Sequence, residues 1–176
     1  MTTSPHQHKG YDEWCTPPHI VEAVKAAFKG LSFLDPATSY ENPVGASLFF
    51  TKKEDGLVQS WAGTGVCYAY VNPPYGKDLK HWIAKIGQEA SNNLPILALL
   101  PANRFETQYV QEWLLSHGAL DSITFIRKRV SFVGSDGSKK GANPFGSVIY
   151  AFNTYEYNVN MAPIRALGKT IEVKHE

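Results

Sequence analysis

The most regular alternation of apolar and polar residues lies near the start of the chain. Thr16 is followed by two prolines, an order typical of a helix N-cap and first turn, and Gly30 is typical of a helix end. Five apolar residues between them recur with the spacing of one buried helix face: Ile20, Val21, Val24, Ala27 and Phe28. The pattern predicts a helix that is capped by Thr16 and ends at Gly30.

Short apolar runs alternate with helical patterns along the rest of the chain. Strands are predicted at 32–35, 66–71, 96–100, 122–127 and 147–152, and helices at 77–90 and 106–116. Such alternation predicts an α/β fold with an open, mostly parallel sheet, which binds ligands at the carboxyl ends of its strands. We expect the last two strands to form a C-terminal antiparallel pair, and Trp82 and Trp113 to belong to the core.

Length and composition fit one domain. The chain has 176 residues, of which 43% are hydrophobic, and this is enough for one core of sheet and helices. We expect a flexible tail at 1–10 and a single domain at 11–176. Because no stretch approaches the ~20 apolar residues that cross a bilayer, and the polar start lacks a secretory signal, we expect a soluble, cytoplasmic protein without membrane contact. The oligomeric state stays open.

The sharpest chemical motif is Asn72-Pro73-Pro74-Tyr75, which directly follows a predicted strand. A planar exocyclic amine such as N6 of adenine is a weak nucleophile until two acceptors hold its N–H bonds. The side-chain oxygen of Asn72 and the backbone carbonyl of Pro73 could be those acceptors, because Pro74 forces its predecessor into an extended conformation. Tyr75 offers a flat face for stacking a flipped base. The motif therefore indicates methylation of an amine, with these four residues as its catalytic group.

Further motifs accompany this one in a fixed order. They are Asp12-Glu13-Trp14-Cys15-Thr16-Pro17, Leu34-Asp35-Pro36-Ala37, Glu54-Asp55-Gly56-Leu57 with Trp61, Leu100-Pro101-Ala102 and Arg129-Val130-Ser131-Phe132. Together they cover most of the chain, which resembles the phage-type, Dam-like DNA N6-adenine methyltransferases. The resemblance implies a Rossmann-like, S-adenosylmethionine-dependent methyltransferase fold, a site-specific adenine methyltransferase activity and double-stranded DNA as partner.

The resemblance also implies which residues bind S-adenosylmethionine. The Trp-x-Thr-Pro element resembles the segment that closes over the methionine end, Asp35 resembles the acid that faces the methionine amine, and Asp55 resembles the acid near the adenosine half. The full set is Trp14, Thr16, Pro17, Asp35, Pro36, Ala37, Asp55 and Asn72. The glycine-rich turn that usually follows the first acid is replaced here by 36–45, where Ser39 and Asn42 are either substitute hydrogen bonders or parts of a plain surface loop.

Basic residues crowd the second half of a chain whose formal net charge is only +1. We expect these residues to contact DNA phosphates: Arg104, Arg127, Lys128, Arg129, Lys139 and Lys140. A surface ion pair, for example between Arg104 and Glu106, is the alternative. The stretch 134–143, longer than a tight hairpin needs, is a candidate DNA-recognition loop, and its Gly and Ser content predicts disorder without DNA.

Two other functions fit the same motifs. A methyltransferase acting on an RNA base or a protein glutamine amide meets the same weak nucleophile, but such proteins generally have the glycine-rich turn and an extra domain. A catalytically silent nucleic-acid or nucleotide-binding module would explain the altered turn after Asp35. Such a module has no need of Asn72 and Tyr75, so we favour the enzyme.

Overall fold

The computed structural model describes residues 15–134, 139–142 and 144–173, with the backbone alone described at 139–142. The predicted tail 1–10, Trp14, and the side chains of Lys139 and Lys140 lie outside the described part. No helix among the described residues is long and apolar enough to cross a membrane.

The predicted helices and strands are all present, and the structure adds short strands and a short helix that the sequence did not predict. The helices are α1 (Pro18–Phe28), α2 (Leu79–Ser91), α3 (Gln108–Val110, continued by a π-helical turn at Gln111–Leu115) and α4 (Ala162–Ala166). The strands are β1 (Phe33–Asp35), β2 (Leu48–Phe49), β3 (Tyr68–Val71), β4 (Ile96–Pro101), β5 (Leu120–Ile126), β6 (Ser131–Val133), β7 (Lys139–Ala142), β8 (Ser147–Phe152) and β9 (Gly168–Glu172).

Within the described residues, seven strands form one sheet in the order β2-β1-β3-β4-β8-β5-β9. Strands β1 to β5 run in one direction, and β8 and β9 run in the other. The predicted antiparallel pairing of β5 with β8 is confirmed, but the expectation of one C-terminal pair was too narrow. Strand β8 lies between β4 and β5 and pairs antiparallel with both, and β9 pairs antiparallel with β5.

The reversal of β8 has a simple physical cause. Strand β5 ends at the carboxyl edge of the sheet, and β6 and β7 form a separate antiparallel hairpin after it, with no crossover helix among the described residues of this segment. The chain therefore re-enters the sheet from the edge that it left, and β8 has to run back. Because the backbone at 139–142 pairs with β6, the predicted disorder of 134–143 is wrong for this part.

Both faces of the sheet are covered. In β4, alternate residues Ile96, Ala98 and Leu100 pack toward α2 and the α3 region, whereas Leu97 and Leu99 pack toward α1 and α4. Full burial of each isoleucine or leucine side chain stabilises the fold by about 1.5–3 kcal/mol. The two-sided burial explains why β4 is a continuous apolar run.

Helix α1 forms where its apolar stripe predicts, and the stripe is buried. Thr16, however, is not its N-cap: the helix begins one residue later than that role requires, with Pro17 at the cap position and no side-chain capping hydrogen bond. Thr16 is 5% exposed and makes long-range contacts instead. The prediction that Thr16 caps α1 was therefore wrong, because its hydroxyl bonds to a distant residue and not to the first turn of the helix.

Trp82 is buried in the core, as predicted, but Trp113 is 44% exposed, contrary to prediction. Trp113 lies within the π-helical turn, and its carbonyl and ring lie over Gly87 of α2. A Cβ at Gly87 would lie 2.8 Å from that carbonyl oxygen. The close helix approach therefore leaves no room for the indole between the two elements, and much of the ring stays at the surface.

Candidate functional site

A cavity of about 700 Å³ lies at the carboxyl ends of the parallel strands β1, β2 and β3. From β1 the chain first joins β2 on one side and then β3 on the other, so the strand order reverses beside β1. Open α/β sheets bind ligands at such a reversal, because the loops from neighbouring strands diverge there and leave a crevice.

Most residues that the sequence singled out line this cavity together. They are Thr16, Asp35, Pro36, Ala37, Asp55, Asn72, Pro73, Pro74 and Tyr75. Pro17 was expected to belong to the set but does not line the cavity, because it is buried at the start of α1. The agreement follows from topology, since most of these residues directly follow a parallel strand.

Asn72 follows the last residue of β3 and is half-buried at the cavity wall. Its Nδ2 donates a hydrogen bond to Thr16 Oγ1 over 3.3 Å, and that oxygen lies 2.8 Å from the hydroxyl of Tyr70. Thr16 and Tyr70 are both buried. The nitrogen end of the Asn72 amide is therefore tied to the core, which turns the Oδ1 end away from Thr16.

Tyr75 lines the cavity and is anchored at its far end. Its hydroxyl donates to the backbone carbonyl of Leu99 over 3.2 Å, and its ring meets Phe132 edge-on with centroids 5.9 Å apart. Burial, and next the nearby Tyr70, raise the pKa of Tyr75 well above its ordinary value, so the phenol stays neutral. Two contacts thus hold the ring in place at the cavity wall.

Asp35 ends β1 and is only 4% exposed. Its Oδ1 accepts a hydrogen bond from the Ala37 N–H over 3.1 Å. Burial raises the pKa of this carboxyl to about 7, and the hydrogen bonds from Ala37 and Thr38 only partly offset the effect. No described lysine or arginine forms an ion pair with it. The cavity thus contains an acid whose charged form would be stabilised by a bound cation.

A close backbone contact joins the loops that carry the two acids. A Cβ at Gly56 would lie 2.0 Å from the carbonyl oxygen of Pro36, so only glycine fits there. The carbonyl of Gly56 accepts a hydrogen bond from the indole of the fully buried Trp61 over 2.8 Å. The backbone of Gly56 therefore packs closely against the loop after Asp35. This loop lacks the usual glycine-rich turn, and the glycine that allows the close contact lies in another segment of the chain.

The loop after Asp35 is stabilised by its own side chains. Both ends of the Asn42 amide bond to the backbone of Ala46, with Nδ2 donating to the carbonyl and Oδ1 accepting from the N–H, each over 2.9 Å. Asn42 itself has a positive φ of 44°, a conformation that asparagine tolerates. Asn42 therefore builds the loop, in agreement with the plain-loop alternative, whereas Ser39 lines the cavity.

Several cavity residues were missed in the sequence. Phe132 of β6 reaches the wall because Cys15 and Val133 exchange backbone hydrogen bonds of 2.8 and 3.3 Å. Tyr40, 69% exposed, lies at the rim, as do Lys52 and Lys53. Phe132 belongs to one of the motifs noted in the sequence, but its place at the cavity could not be predicted, because the hairpin and the loops meet only in the folded chain.

The four predicted basic residues whose side chains are described lie outside the cavity. Arg104 follows β4, and Arg127, Lys128 and Arg129 follow β5, so all four lie at the same sheet edge as Asn72. Arg104 is half-buried, and the other three are exposed. Among the described residues no ion pair joins Arg104 to Glu106, so the expected alternative does not form.

Metal binding has no candidate site in the described part of the chain, where no three His, Cys, Asp or Glu residues cluster. The groups described at the cavity wall include the amide of Asn72, the aromatic rings of Tyr75 and Phe132 and the carboxyl of Asp35.

Comparison with known proteins identifies the family. A search of curated protein sequences found no match. The family model described as DNA N-6-adenine-methyltransferase (Dam) matches residues 3–174, which is nearly the whole chain. This match confirms the resemblance that the motifs suggested. The chain belongs to the DNA N-6-adenine-methyltransferase (Dam) family.

Proposed function

We propose that the protein transfers a methyl group from S-adenosylmethionine to N6 of an adenine that is flipped out of double-stranded DNA. On this proposal, residues 11–176 form a single methyltransferase domain of Rossmann-like topology. The observation that carries it is the shared cavity, in which the amide of Asn72 and the buried acid Asp35 lie at the ends of neighbouring strands. Family membership supports DNA adenine as the substrate.

The cavity fits a cofactor of this kind. Its volume of about 700 Å³ lies within the ~300–1,000 Å³ typical of small-molecule sites. Asp35 would hold the methionine amine, Pro36 and Ala37 would line the methionine end, and Asp55 would accept from the adenosine half. S-adenosylmethionine supplies an electrophilic methyl group on a positively charged sulfur. A cationic ligand would also stabilise the carboxylate form of Asp35, which burial disfavours.

Asn72 and Pro73 would perform the central task on the substrate amine. With its Nδ2 donating to Thr16, the amide of Asn72 offers Oδ1 as acceptor for one N6–H, and the Pro73 carbonyl accepts the other. Both contacts draw the nitrogen toward a tetrahedral shape and expose its lone pair. As nitrogen forms its new bond it becomes cationic, and these oxygens stabilise the charge until a proton leaves to water.

Tyr75 would hold the base in register with these acceptors. Its ring is fixed by Leu99 and Phe132, and a stacked base gains about 1–3 kcal/mol on such a platform. Because catalysis here rests on positioning and polarisation, no histidine or glutamate base is required.

The direct test is product analysis. Incubation of the purified chain with S-adenosylmethionine and adenine-containing duplex DNA, followed by nuclease digestion and mass spectrometry, is expected to yield N6-methyladenine. Methylated cytosine, methylated RNA or labelled protein would instead reassign the substrate. Cofactor binding without any methylated product would favour a silent binding module.

Replacement of Asn72 by alanine is expected to abolish turnover, because one acceptor for the amine is lost. The affinity for S-adenosylmethionine measured by calorimetry should stay within about three-fold, because the side chain acts on the substrate. Asn92→Ala, at the exposed end of α2, is the matched control and should keep wild-type turnover. Equal losses of turnover and cofactor affinity in N72A would show that Asn72 is structural or binds the cofactor.

Asp35 makes the cofactor affinity depend on pH. Its pKa is raised from 3.8 to about 7, so below pH 7 a proton must leave before the carboxylate can pair with the methionine amine. We expect the dissociation constant to rise roughly ten-fold per pH unit below 7. Titrations between pH 5.5 and 7.5 avoid the amine's own ionisation near 8. In D35N the affinity should be weaker and independent of pH, whereas the surface control E22Q should follow the wild type.

The same raised pKa has the opposite effect on the free protein. Between pH 4 and 7 the folded state keeps a proton that the unfolded chain releases, so the free energy of unfolding falls as pH rises. D35N should remove this loss and unfold at higher denaturant than the wild type at pH 8. A D35N protein that is less stable at pH 8 would contradict the burial argument.

The basic residues at the carboxyl edge would bind the DNA backbone beside the flipped base. Arg127, Lys128 and Arg129 are exposed there. Arg104 is half-buried and follows β4 at the same edge of the sheet. We include Lys139 and Lys140 in this surface because the hairpin that carries them follows β5. Charges at this edge would position the duplex without reading its sequence.

Arg127→Ala should weaken DNA binding and lower the slope of log affinity against log salt concentration by about one, the effect of one lost phosphate contact. The control is Arg165→Ala. Arg165 is also partly exposed but pairs with Glu172, which lies opposite Ser122 near the amino end of β5. Anisotropy titrations at several salt concentrations measure both slopes. Equal slopes for R127A and R165A would remove Arg127 from the DNA surface.

A further inference from the structure

Thr16 has contacts that neither a helix cap nor a cofactor ligand requires. Its side-chain oxygen lies 2.8 Å from the Tyr70 hydroxyl and accepts from Asn72 Nδ2 over 3.3 Å. These partners are 54 and 56 residues away along the chain. Thr16 therefore links the fully buried ring of Tyr70 in β3 to the first residue of the Asn72-Pro73-Pro74-Tyr75 loop.

The chemistry of the three groups fits one arrangement. A threonine hydroxyl has one proton to donate and two lone pairs that accept. It can accept from the Asn72 amide while it exchanges a hydrogen bond with Tyr70. Tyr70 is fully buried and Thr16 is 5% exposed, so the Thr16 hydroxyl is held against the core at the cavity wall. The nitrogen end of Asn72 is thus fixed by a rigid neighbour.

The backbone around Thr16 is fixed as well. Cys15, one residue before it, pairs with Val133, and the carbonyl of Pro17, one residue after it, accepts from the N–H groups of Ile20 and Val21 at 3.0 and 3.2 Å. Thr16 thus lies between the β6 strand and helix α1. Neither neighbour can shift without breaking backbone hydrogen bonds, so the hydroxyl has a defined position.

We infer that Thr16 is a positioning residue that turns the Asn72 amide so that its oxygen, and not its nitrogen, faces the substrate amine. The inference rests on the proposed function, because it gives Thr16 a role through Asn72. An amide rotated by half a turn would present N–H donors to an N–H donor and would lose the polarising contact. Replacement of Thr16 by an apolar residue of the same shape would remove the hydroxyl that accepts from Asn72 Nδ2.

The first test reports on the amide itself and requires no catalysis. In ¹⁵N-labelled protein without ligands, the side-chain amide signal of Asn72 is assigned by its absence in N72A. Thr16→Val has the shape of threonine without the hydroxyl and is expected to move that signal and speed its hydrogen exchange. Thr16→Ser should keep the wild-type signal. An Asn72 signal that is identical in the wild type and T16V would overturn the contact.

The second test separates positioning from binding. In single-turnover methylation at saturating DNA and cofactor, T16V is expected to be slower by roughly ten- to a hundred-fold, the effect of a small misplacement of a reacting group. Its dissociation constant for S-adenosylmethionine should stay within about three-fold of the wild type. T16S should recover most of the rate. Thr124→Val is the control, because Thr124 is also buried and bonded to a threonine, Thr170, but lies in β5 away from the cavity.

The outcomes are distinguishable. A T16V protein that loses cofactor affinity and keeps its rate would make Thr16 a cofactor ligand, as the family resemblance implies. A T16S protein as slow as T16V would show that the methyl group matters and not the hydroxyl. If the wild type methylates no adenine, the proposed function fails, whereas the amide signals still decide whether Thr16 orients Asn72.

Discussion

The contact of Gly56 with the carbonyl of Pro36 is the constraint on which the cavity depends. Any side chain at position 56 would collide with that oxygen, since even a Cβ would lie 2.0 Å from it. The contact holds the loop of Asp35 against the loop of Asp55, and the buried indole of Trp61 fixes it from behind. One backbone approach thus sets the distance between two walls of the site, and the sheet holds the third wall through β3.

The elements that the sequence predicts well are those whose signal is local. Helix α1 and strand β8 carry complete patterns within their own residues, and β8 has the predicted bounds. Strands β2, β6, β7 and β9 were missed because they are short or polar and exist through pairing with partners elsewhere in the chain. The position of β8 between β4 and β5 was also missed, since pairing order is a property of the whole sheet.

The residues of the candidate site also divide into those with a local signal in the sequence and those without one. Asn72 and Asp35 could be found because each follows an apolar strand, and parallel strands bring such positions together. The need for glycine at position 56 could not be found from the sequence, because the oxygen that excludes a side chain there belongs to Pro36, twenty residues earlier. The role of Thr16 depends on partners that are more distant still. The position of Thr16 before two prolines predicted a hydrogen bond to the nearby helix, but in the folded chain its hydroxyl bonds to Tyr70 and Asn72.

On the proposed function, the site separates its two electrostatic tasks. The cofactor side uses a carboxyl, Asp35, whose burial costs stability unless a cation is bound. The amine side uses only neutral groups, the Asn72 amide, the Thr16 hydroxyl and the phenols of Tyr70 and Tyr75, whose pKa burial raises. A carboxylate in place of Asn72 would also accept from the amine, but its charge would depend on pH, and its protonated form would be a donor. A neutral amide held by a neutral hydroxyl remains an acceptor at every pH at which the fold persists.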